Sequence, residues 1–284
     1  MSGPEIVGLG AIAGFTIYVG LPVGRLRNPP GGLRAFLNAL AVGVLVFLLW
    51  DVLSGAFEPV ETALTNAKEH HGSWLRFGWY GATFAGGLTL GLVALVYYDR
   101  WLSRRPKPAK VLFGPGAAAV AELERTNPIQ RLSEPKRLAL FIALGIGLHN
   151  LSEGLAIGQS AASDQIHLAL LLIIGFGLHN ATEGFGIIGP LAAETERPSW
   201  AFLFVMGLIG GGPTFVGTLI GQSVVNDTIY LGFLALAAGS ILYVVTELLN
   251  VGRKLGHKEL ATWGVLVGLL AGFATDMILT ASGA

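Results

Sequence analysis

Eight apolar stretches, each long enough to cross a lipid bilayer, limit this chain to one class of fold. A membrane-spanning helix needs about 20 mostly apolar residues, and its backbone polar groups must bond within the segment because lipid offers no partners. The chain is 52% hydrophobic and only 13% charged, with a mean hydropathy of +0.63. We therefore predict an all-α integral membrane protein with eight transmembrane helices at residues 5–24, 33–53, 78–98, 138–160, 167–190, 199–221, 228–250 and 261–281.

The basic residues set the predicted orientation, because lysine and arginine are enriched in the cytoplasmic connections of membrane proteins. With both termini outside, all of the 18 lysines and arginines except Lys68 and Arg76 fall in cytoplasmic connections. We therefore expect a multi-pass protein of the plasma membrane with its N- and C-termini outside. The chain would form a single transmembrane domain, residues 1–284, with a long cytoplasmic connection at about 101–137 between the third and fourth spans.

A polar cluster occurs twice in the middle of apolar spans, as GIGLHNLSEG (145–154) and GFGLHNATEG (175–184). An ionised side chain at the centre of a membrane helix costs about 2.5–3.5 kcal/mol, so the repetition indicates a function. At 100° per residue, the three polar residues of each copy project from one face of their helix. They are His149, Asn150 and Glu153 in the first copy, and His179, Asn180 and Glu183 in the second. Two antiparallel spans with one motif indicate a pseudo-two-fold axis in the membrane plane relating the fourth and fifth helices.

These side chains suit a divalent metal ion. Two imidazoles, two carboxylates and two amide oxygens match a borderline cation such as Zn²⁺, Fe²⁺, Mn²⁺ or Co²⁺. The chain has no cysteine, which excludes disulfides and thiolate metal sites. A dication would neutralise the two glutamates, and each glutamate lies between a histidine and an asparagine, so the pair could bridge two ions. The alternative is that these residues bond one another across helices as packing contacts.

Small residues and one proline predict local features of the spans. Glycines are frequent where membrane helices approach closely, so we expect those of the two motifs to bring the fourth and fifth spans together. These are Gly145, Gly147, Gly154, Gly175, Gly177 and Gly184. We expect Pro213, in IGGGPTF, to interrupt the sixth span.

Three further acids lie within or near spans. Asp51 is predicted near the outer end of the second span, Glu247 near the inner end of the seventh, and Asp276 in the outer part of the eighth. Each could line a cation pathway above or below the central cluster, or simply be solvated at an interface.

At these residues the chain resembles the ZIP (Zrt-, Irt-like protein) family of divalent metal transporters. Eight spans, outside termini, a long loop between the third and fourth helices, and polar motifs on the fourth and fifth helices fit that family. HNLSEG resembles its fourth-helix motif HN-x-x-(D/E)-G, and HNATEG is similar to a variant of its fifth-helix motif HE-x-x-H-E. The resemblance implies that the six polar residues are metal ligands and that the chain is a transporter and not an enzyme.

Two departures from the family pattern bear on stoichiometry. Asn180 stands where the family often has an acid, and the sixth span contains no acid or histidine. We therefore expect one tightly held metal and a second, weaker site. The tight position would be formed by His149, Glu153, His179 and Glu183, and the weak one by Asn150 and Asn180.

The predicted function is a permease that imports a divalent transition metal, zinc foremost, with the metal as substrate and no cofactor. Iron, manganese, cobalt and cadmium are the other candidate substrates. The alternative is an intramembrane metal-dependent hydrolase that uses the same ligands to activate a water. A proton-coupled carrier of an organic solute would explain the glutamates but not the matched histidines. The expected partners are metal ions, the lipid bilayer and a second copy in a homodimer, and the net charge of zero gives no indication of nucleic-acid binding.

Overall fold

The structure is a computed structural model that describes residues 3–27, 29–69, 72–104, 129, 132–162, 166–194, 196–223 and 226–281. Within these ranges eight helices are long and apolar enough to cross a membrane, which confirms the predicted all-α architecture. The first span comprises Gly3–Phe15, Ile17–Gly20 and the 3-10 turn Leu21–Arg25. The others are Gly31–Lys68, Trp74–Ser103, Glu134–Ala162, Ile166–Ile188 with the 3-10 turn Gly189–Ala193, Trp200–Gly221, Asp227–Leu255 and Lys258–Ala281.

The sixth and seventh spans begin at side chains that cap them. The hydroxyl of Ser199 accepts a hydrogen bond from the backbone N–H of Phe202, and the side-chain oxygen of Asn226 accepts one from Ile229. Such caps satisfy backbone donors that lack partners in the first turn of a helix. The polar residue before each apolar run therefore fixes where the span starts.

The second span is much longer than predicted. It covers Gly31–Lys68, which is 38 residues. The predicted span ended at residue 53 and was followed by a connection at 54–77. The added part is more polar, but small apolar residues recur there at helical spacing and pack against neighbouring helices. The buried positions are Ala56, Val60, Ala63 and Ala67. The prediction was wrong because average hydropathy does not detect so narrow an apolar stripe.

The sixth span is one continuous helix, Trp200–Gly221, so the predicted interruption at Pro213 is also wrong. A proline removes one helical hydrogen bond, and closely packed membrane helices tolerate that loss. The first span is interrupted instead, at Thr16, whose hydroxyl donates to the carbonyl oxygen of Ala13.

The long connection is shorter than the predicted 101–137. The third span continues to Ser103, and the fourth begins at Glu134. Residues 105–128, 130 and 131 of this connection lie outside the described residues.

The spans pack as two inverted groups of three around the fourth and fifth. The most extensive contacts join the fourth span to the sixth, the second to the eighth and the third to the seventh. The first span packs on the fifth and sixth, and the second on the seventh. Suppose that the first span is exchanged with the sixth, the second with the seventh, the third with the eighth and the fourth with the fifth. Each of these contacting pairs then becomes another pair of the same set or stays the same pair. Because the exchanged spans run in opposite directions, the relation is a pseudo-two-fold axis in the membrane plane.

Close glycine contacts fix the register of this inverted repeat. Gly14 of the first span lies against Gly211 of the sixth. The second and eighth spans cross where Gly43 meets Gly268, and the third and seventh cross where Gly91 meets Gly239. Likewise, Gly20 on the first span meets Gly184 on the fifth, as Gly217 on the sixth meets Gly154 on the fourth. Each of these glycines therefore corresponds by the repeat to one glycine in the other half of the chain, which we call its counterpart. The counterparts are Gly14 and Gly211, Gly20 and Gly217, Gly43 and Gly239, Gly91 and Gly268, and Gly154 and Gly184.

Candidate metal centre

The glycines of the two polar motifs do not pair the fourth span with the fifth, as the sequence analysis expected. Gly147 and Gly154 of the fourth span lie against the backbone of the sixth, and Gly184 of the fifth lies against the backbone of the first. This difference has a steric reason. These glycines of the fourth and fifth helices contact the neighbouring helices six and one. The sides on which the fourth and fifth helices face each other therefore carry the larger polar side chains.

Three of those side chains meet at one carboxylate. Nε2 of His149 lies 2.9 Å from Oε1 of Glu153, and Nε2 of His179 lies 2.7 Å from the same oxygen. His149 and Glu153 are four residues apart on one helix, so a single turn brings them together. Ligand atoms of these three residues lie within 4.8 Å of one another, which is a spacing that can hold one metal ion.

Glu183 lies beside this cluster. Its Oε1 is 3.9 Å from Nε2 of His149, and its Oε2 accepts a hydrogen bond of 3.2 Å from the side-chain amide of Asn150. Glu153 therefore contacts both histidines, whereas its counterpart Glu183 contacts an asparagine. The two motifs are related in sequence but occupy different positions in the site.

Matching backbone contacts hold the two asparagines. Nδ2 of Asn150 donates to the carbonyl oxygen of Gly210 at 2.9 Å, and Nδ2 of Asn180 donates to that of Ala13 at 3.2 Å. Ala13 and Gly210 each precede a glycine that fixes the register, so these two contacts are themselves counterparts. Both amide nitrogens bond to the backbone, and neither Oδ1 atom has a hydrogen-bond partner among the residues that the structure describes.

The site contains buried ligand-type atoms that no described residue satisfies. They are His149 Nδ1, Asn150 Oδ1, Glu153 Oε2, Asn180 Oδ1 and Glu183 Oε1. All five residues are at most 4% exposed. Leaving such an atom unpaired costs about 1–3 kcal/mol. Among the described residues, the ion pairs of both glutamates are with histidine, so a divalent cation would supply both the missing charge and the missing bonds.

Asp51 and Asp276 line a cavity of about 300 Å³ that reaches the cluster. Its lining includes His149, Glu153 and His179. The cavity extends toward the face of the protein where the fourth span ends and the fifth begins, here called the 4–5 face. Asp51 was predicted near the end of its helix. It lies instead near the middle of the extended second span, beside the route from the 4–5 face to the cluster.

Glu247 lines a separate cavity of about 630 Å³ at the opposite face, where the fifth span ends and the sixth begins, here called the 5–6 face. Asp99 lines the same cavity, and its Oδ1 lies 3.0 Å from Nε of Arg137. Asp99 was not among the predicted pathway acids, because it directly precedes the basic stretch that ends the third span.

The register of the repeat relates these acids in pairs. Each acid lies eight residues after the glycine that fixes the register of its helix. The counterparts are Asp51 and Glu247, which follow Gly43 and Gly239, and Asp99 and Asp276, which follow Gly91 and Gly268. The similarity of LAVG (40–43) to LAAG (236–239) was the signal that could have revealed the repeat, and with it Asp99.

Of these two cavities, the one at the 4–5 face reaches the cluster and the one at the 5–6 face does not. A contact on the 5–6 side of the site, here called the seal, involves the residue that follows Glu247. The side chain of Leu248 lies against Gly186, and the side-chain amide of Asn38 donates to the carbonyl oxygen of Leu248 at 3.0 Å.

Comparison with known proteins identifies the family. The family model described as ZIP Zinc transporter matches residues 121–280, which is more than half of the chain. The zinc transporter ZupT of Lysinibacillus sphaericus is 30% identical over 278 residues, covering 94% of this chain and 96% of that protein. ZupT of Streptococcus mutans is 27% identical over 271 residues, covering 90% and 94%. ZupT of Chlorobium phaeovibrioides is 38% identical over 161 residues, covering 56% and 59%.

The matched region contains both polar motifs and spans four to eight, so the resemblance seen in the sequence is confirmed. The chain belongs to the ZIP zinc transporter family, and it is a multi-pass membrane protein that transports divalent metal and is not an enzyme.

Proposed function

We propose that the chain imports a divalent transition metal, zinc foremost, into the cytoplasm through a site formed by both polar motifs. Its ligands would be His149, Asn150, Glu153, His179, Asn180 and Glu183. The main support is the set of buried nitrogen and oxygen atoms that have no partner at the end of a cavity. A site with two imidazoles and shared carboxylates suits Zn²⁺, and iron, manganese, cobalt and cadmium are the other candidate substrates.

The tighter of two positions would lie at His149, Glu153 and His179, with Glu183 as the fourth ligand. Three of these residues already group around one carboxylate oxygen, and Glu183 lies 3.9 Å from His149. Zinc ligands lie about 2.0–2.2 Å from the ion, so an ion can take the place of the direct histidine–glutamate contacts after small side-chain movements.

A weaker position would lie at the amide oxygens of Asn150 and Asn180. Both oxygens are buried and without partners, but neither carries charge. Two dications about 4 Å apart repel each other strongly in a site of low dielectric constant. Two shared carboxylates offset that repulsion only in part, so the second ion would bind only at high metal concentration.

The charges along the two cavities support import from the 4–5 face. Asp51 and Asp276 line the cavity there, together with Glu153, and no lysine or arginine is among its described lining residues. A negative cavity with apolar walls concentrates cations. At the 5–6 face, Asp99, Glu134 and Glu247 share their cavity with Arg137 and Lys254. A metal would therefore be held less firmly there, which favours its release.

The proposed orientation makes the 4–5 face extracellular and the 5–6 face cytoplasmic, with both termini outside and the protein in the plasma membrane. The basic residues support this arrangement, because they concentrate at the 5–6 face. The whole chain, residues 1–284, would act as one transport domain. The homodimer remains a prediction, which light scattering of the detergent-solubilised protein would measure.

The intramembrane hydrolase has no support in the comparisons. A hydrolase would also need an acid or base separate from the metal ligands. The six proposed ligands instead form two related motifs.

Zinc uptake into proteoliposomes tests the proposal. We expect His149→Ala, His179→Ala and Glu153→Gln each to reduce uptake at least about tenfold at equal amounts of reconstituted protein, since each removes a ligand. Glu61→Gln is the matched control, because Glu61 is an exposed carboxylate on the outer part of the second span. Wild-type uptake by the double variant His149→Ala/His179→Ala would refute the assigned site, and absence of zinc uptake by the native protein would refute the substrate.

A further inference from the structure

A cavity of about 520 Å³ lies between the second, seventh and eighth spans at the 5–6 face, and its lining includes none of the proposed metal ligands. Its volume falls within the usual range of about 300–1,000 Å³ for small-molecule sites. Most of its lining is apolar, and its rim carries three groups that are cationic or can become so. The apolar lining includes Ala39, Val42, Leu248, Leu249, Ala261 and Val265, and the rim carries Arg253, His257 and Lys258.

In the other half of the inverted repeat, the place that corresponds to this cavity is filled by side chains. At the corresponding place near the 4–5 face, the rings of Phe57 and Phe84 pack edge to face with centroids 5.7 Å apart. Phe57 follows Gly43 by 14 residues, as Arg253 follows Gly239, and Phe84 precedes Gly91 by seven, as Ala261 precedes Gly268. The cavity is therefore where two aromatic side chains are replaced by an arginine and an alanine.

The rim of the cavity suits an anion. Gly256 and His257 both have positive φ angles, 74° and 54°, and the turn that they form joins the helices that carry Arg253 and Lys258, both of which line the cavity. Lys258 begins the eighth helix, whose first turn adds backbone N–H groups that favour negative charge.

We propose that this cavity binds one anionic phospholipid from the adjacent leaflet, with an acyl chain in the apolar part and the phosphate between Arg253 and Lys258. Leu249, which lines the cavity, and Leu260, two residues after Lys258, are both exposed, so the rim adjoins apolar surface that can face lipid. Charge complementarity selects the headgroup, and the missing aromatic rings provide the space for the chain. The orientation proposed above makes this the cytoplasmic leaflet, but binding does not depend on the metal site.

Native mass spectrometry of the delipidated full chain tests the headgroup part. Phosphatidylglycerol and phosphatidylcholine with identical acyl chains are titrated in parallel. We expect one phosphatidylglycerol to be retained at least about tenfold more strongly than phosphatidylcholine. The double variant Arg253→Gln/Lys258→Gln should lose about 25-fold in phosphatidylglycerol affinity, because each cation near a lipid anion contributes roughly a factor of five.

A second variant tests the apolar part. Arg253→Phe/Ala261→Phe restores the aromatic pair of the other half and should fill the cavity, so retention of phosphatidylglycerol should be lost. Leu270→Phe is the matched control, because Leu270 is an exposed residue of the same helix that does not line the cavity. Glycerol phosphate, which has the headgroup phosphate without acyl chains, should not raise the melting temperature as phosphatidylglycerol does.

Several outcomes would overturn this assignment. Equal retention of both lipids, unaffected by the glutamine variant, would show nonspecific annular lipid. Equal stabilisation by glycerol phosphate would show an anion site that does not use the cavity. If the phenylalanine variant fails to fold, the glutamine variant still decides the question, since its two exposed side chains do not contribute to the core.

Discussion

Alanine at Gly154 should disturb the metal centre without replacing any of its proposed ligands. A Cβ atom at this position would lie 2.1 Å from the carbonyl oxygen of Thr214 on the sixth span, whereas ordinary contacts begin at 3.4 Å. The fourth and sixth helices would have to separate by about 1.3 Å, because a backbone oxygen within a helix cannot rotate away. Overpacking of this kind costs about 1–3 kcal/mol.

Gly177, in the second copy of the motif, provides the matched control. A Cβ atom there would lie 3.5 Å from Cγ2 of Thr16, which is an ordinary contact. Alanine is also a better helix former than glycine, so Gly177→Ala should be neutral or slightly stabilising. Both glycines flank the same HN-x-x-E pattern, and the structure alone distinguishes them.

Thermal unfolding of the purified protein in detergent measures the difference. At about 2–4 °C per kcal/mol for a chain of this size, Gly154→Ala should lower the Tm by about 2–12 °C, whereas Gly177→Ala should leave the Tm unchanged or raise it slightly. Zinc uptake should fall for Gly154→Ala, because Glu153 directly precedes the displaced position. Equal Tm values for the two variants, or a larger loss for Gly177→Ala, would refute the packing described here.

Three further predictions concern stoichiometry, release and orientation. Asn180→Asp should strengthen the weaker metal position by adding a negative charge, and calorimetry showing two equally tight sites in the native protein would contradict the asymmetry. Arg137→Met leaves Asp99 without its cation, so we expect an additional weak zinc site and slower uptake, with Arg137→Lys as the control; unchanged binding and uptake would remove Arg137 from the release step. In intact cells, an impermeant thiol reagent should label Ser73→Cys but not Glu196→Cys, and the reverse pattern would invert the orientation.

The sequence was sufficient to predict the features that lipid and helical geometry determine. Membrane thickness fixes the length of an apolar span, so all eight spans could be recognised. Helical periodicity places His149 and Glu153 on one face, one turn apart, and the structure brings them within 2.9 Å. The contact of His179 with the same carboxylate follows from the repetition of the motif on the neighbouring antiparallel helix.

Features that depend on which helices become neighbours could not be predicted from single spans. The extension of the second helix to Lys68 rests on small buried residues that contribute little to hydropathy. Gly154 packs on the sixth span and Gly184 on the first, and the motif itself does not encode either partner. Asp99 directly precedes basic residues in the sequence, and only the packing of the helices brings it into one cavity with Glu247.

The seal at the 5–6 face has a counterpart that is open. Leu248 lies against Gly186, while the corresponding residues of the other half, Val52 and Ala156, both line the open cavity at the 4–5 face. Each half of the chain thus displays the arrangement that the other half would need in an alternative state. An exchange of conformations between the halves would bring Val52 onto Ala156 and draw Leu248 away from Gly186, closing one cavity and opening the other. One inverted sequence repeat can in this way specify both end states of an alternating-access cycle, and the population of each state then depends on the positions at which the halves differ.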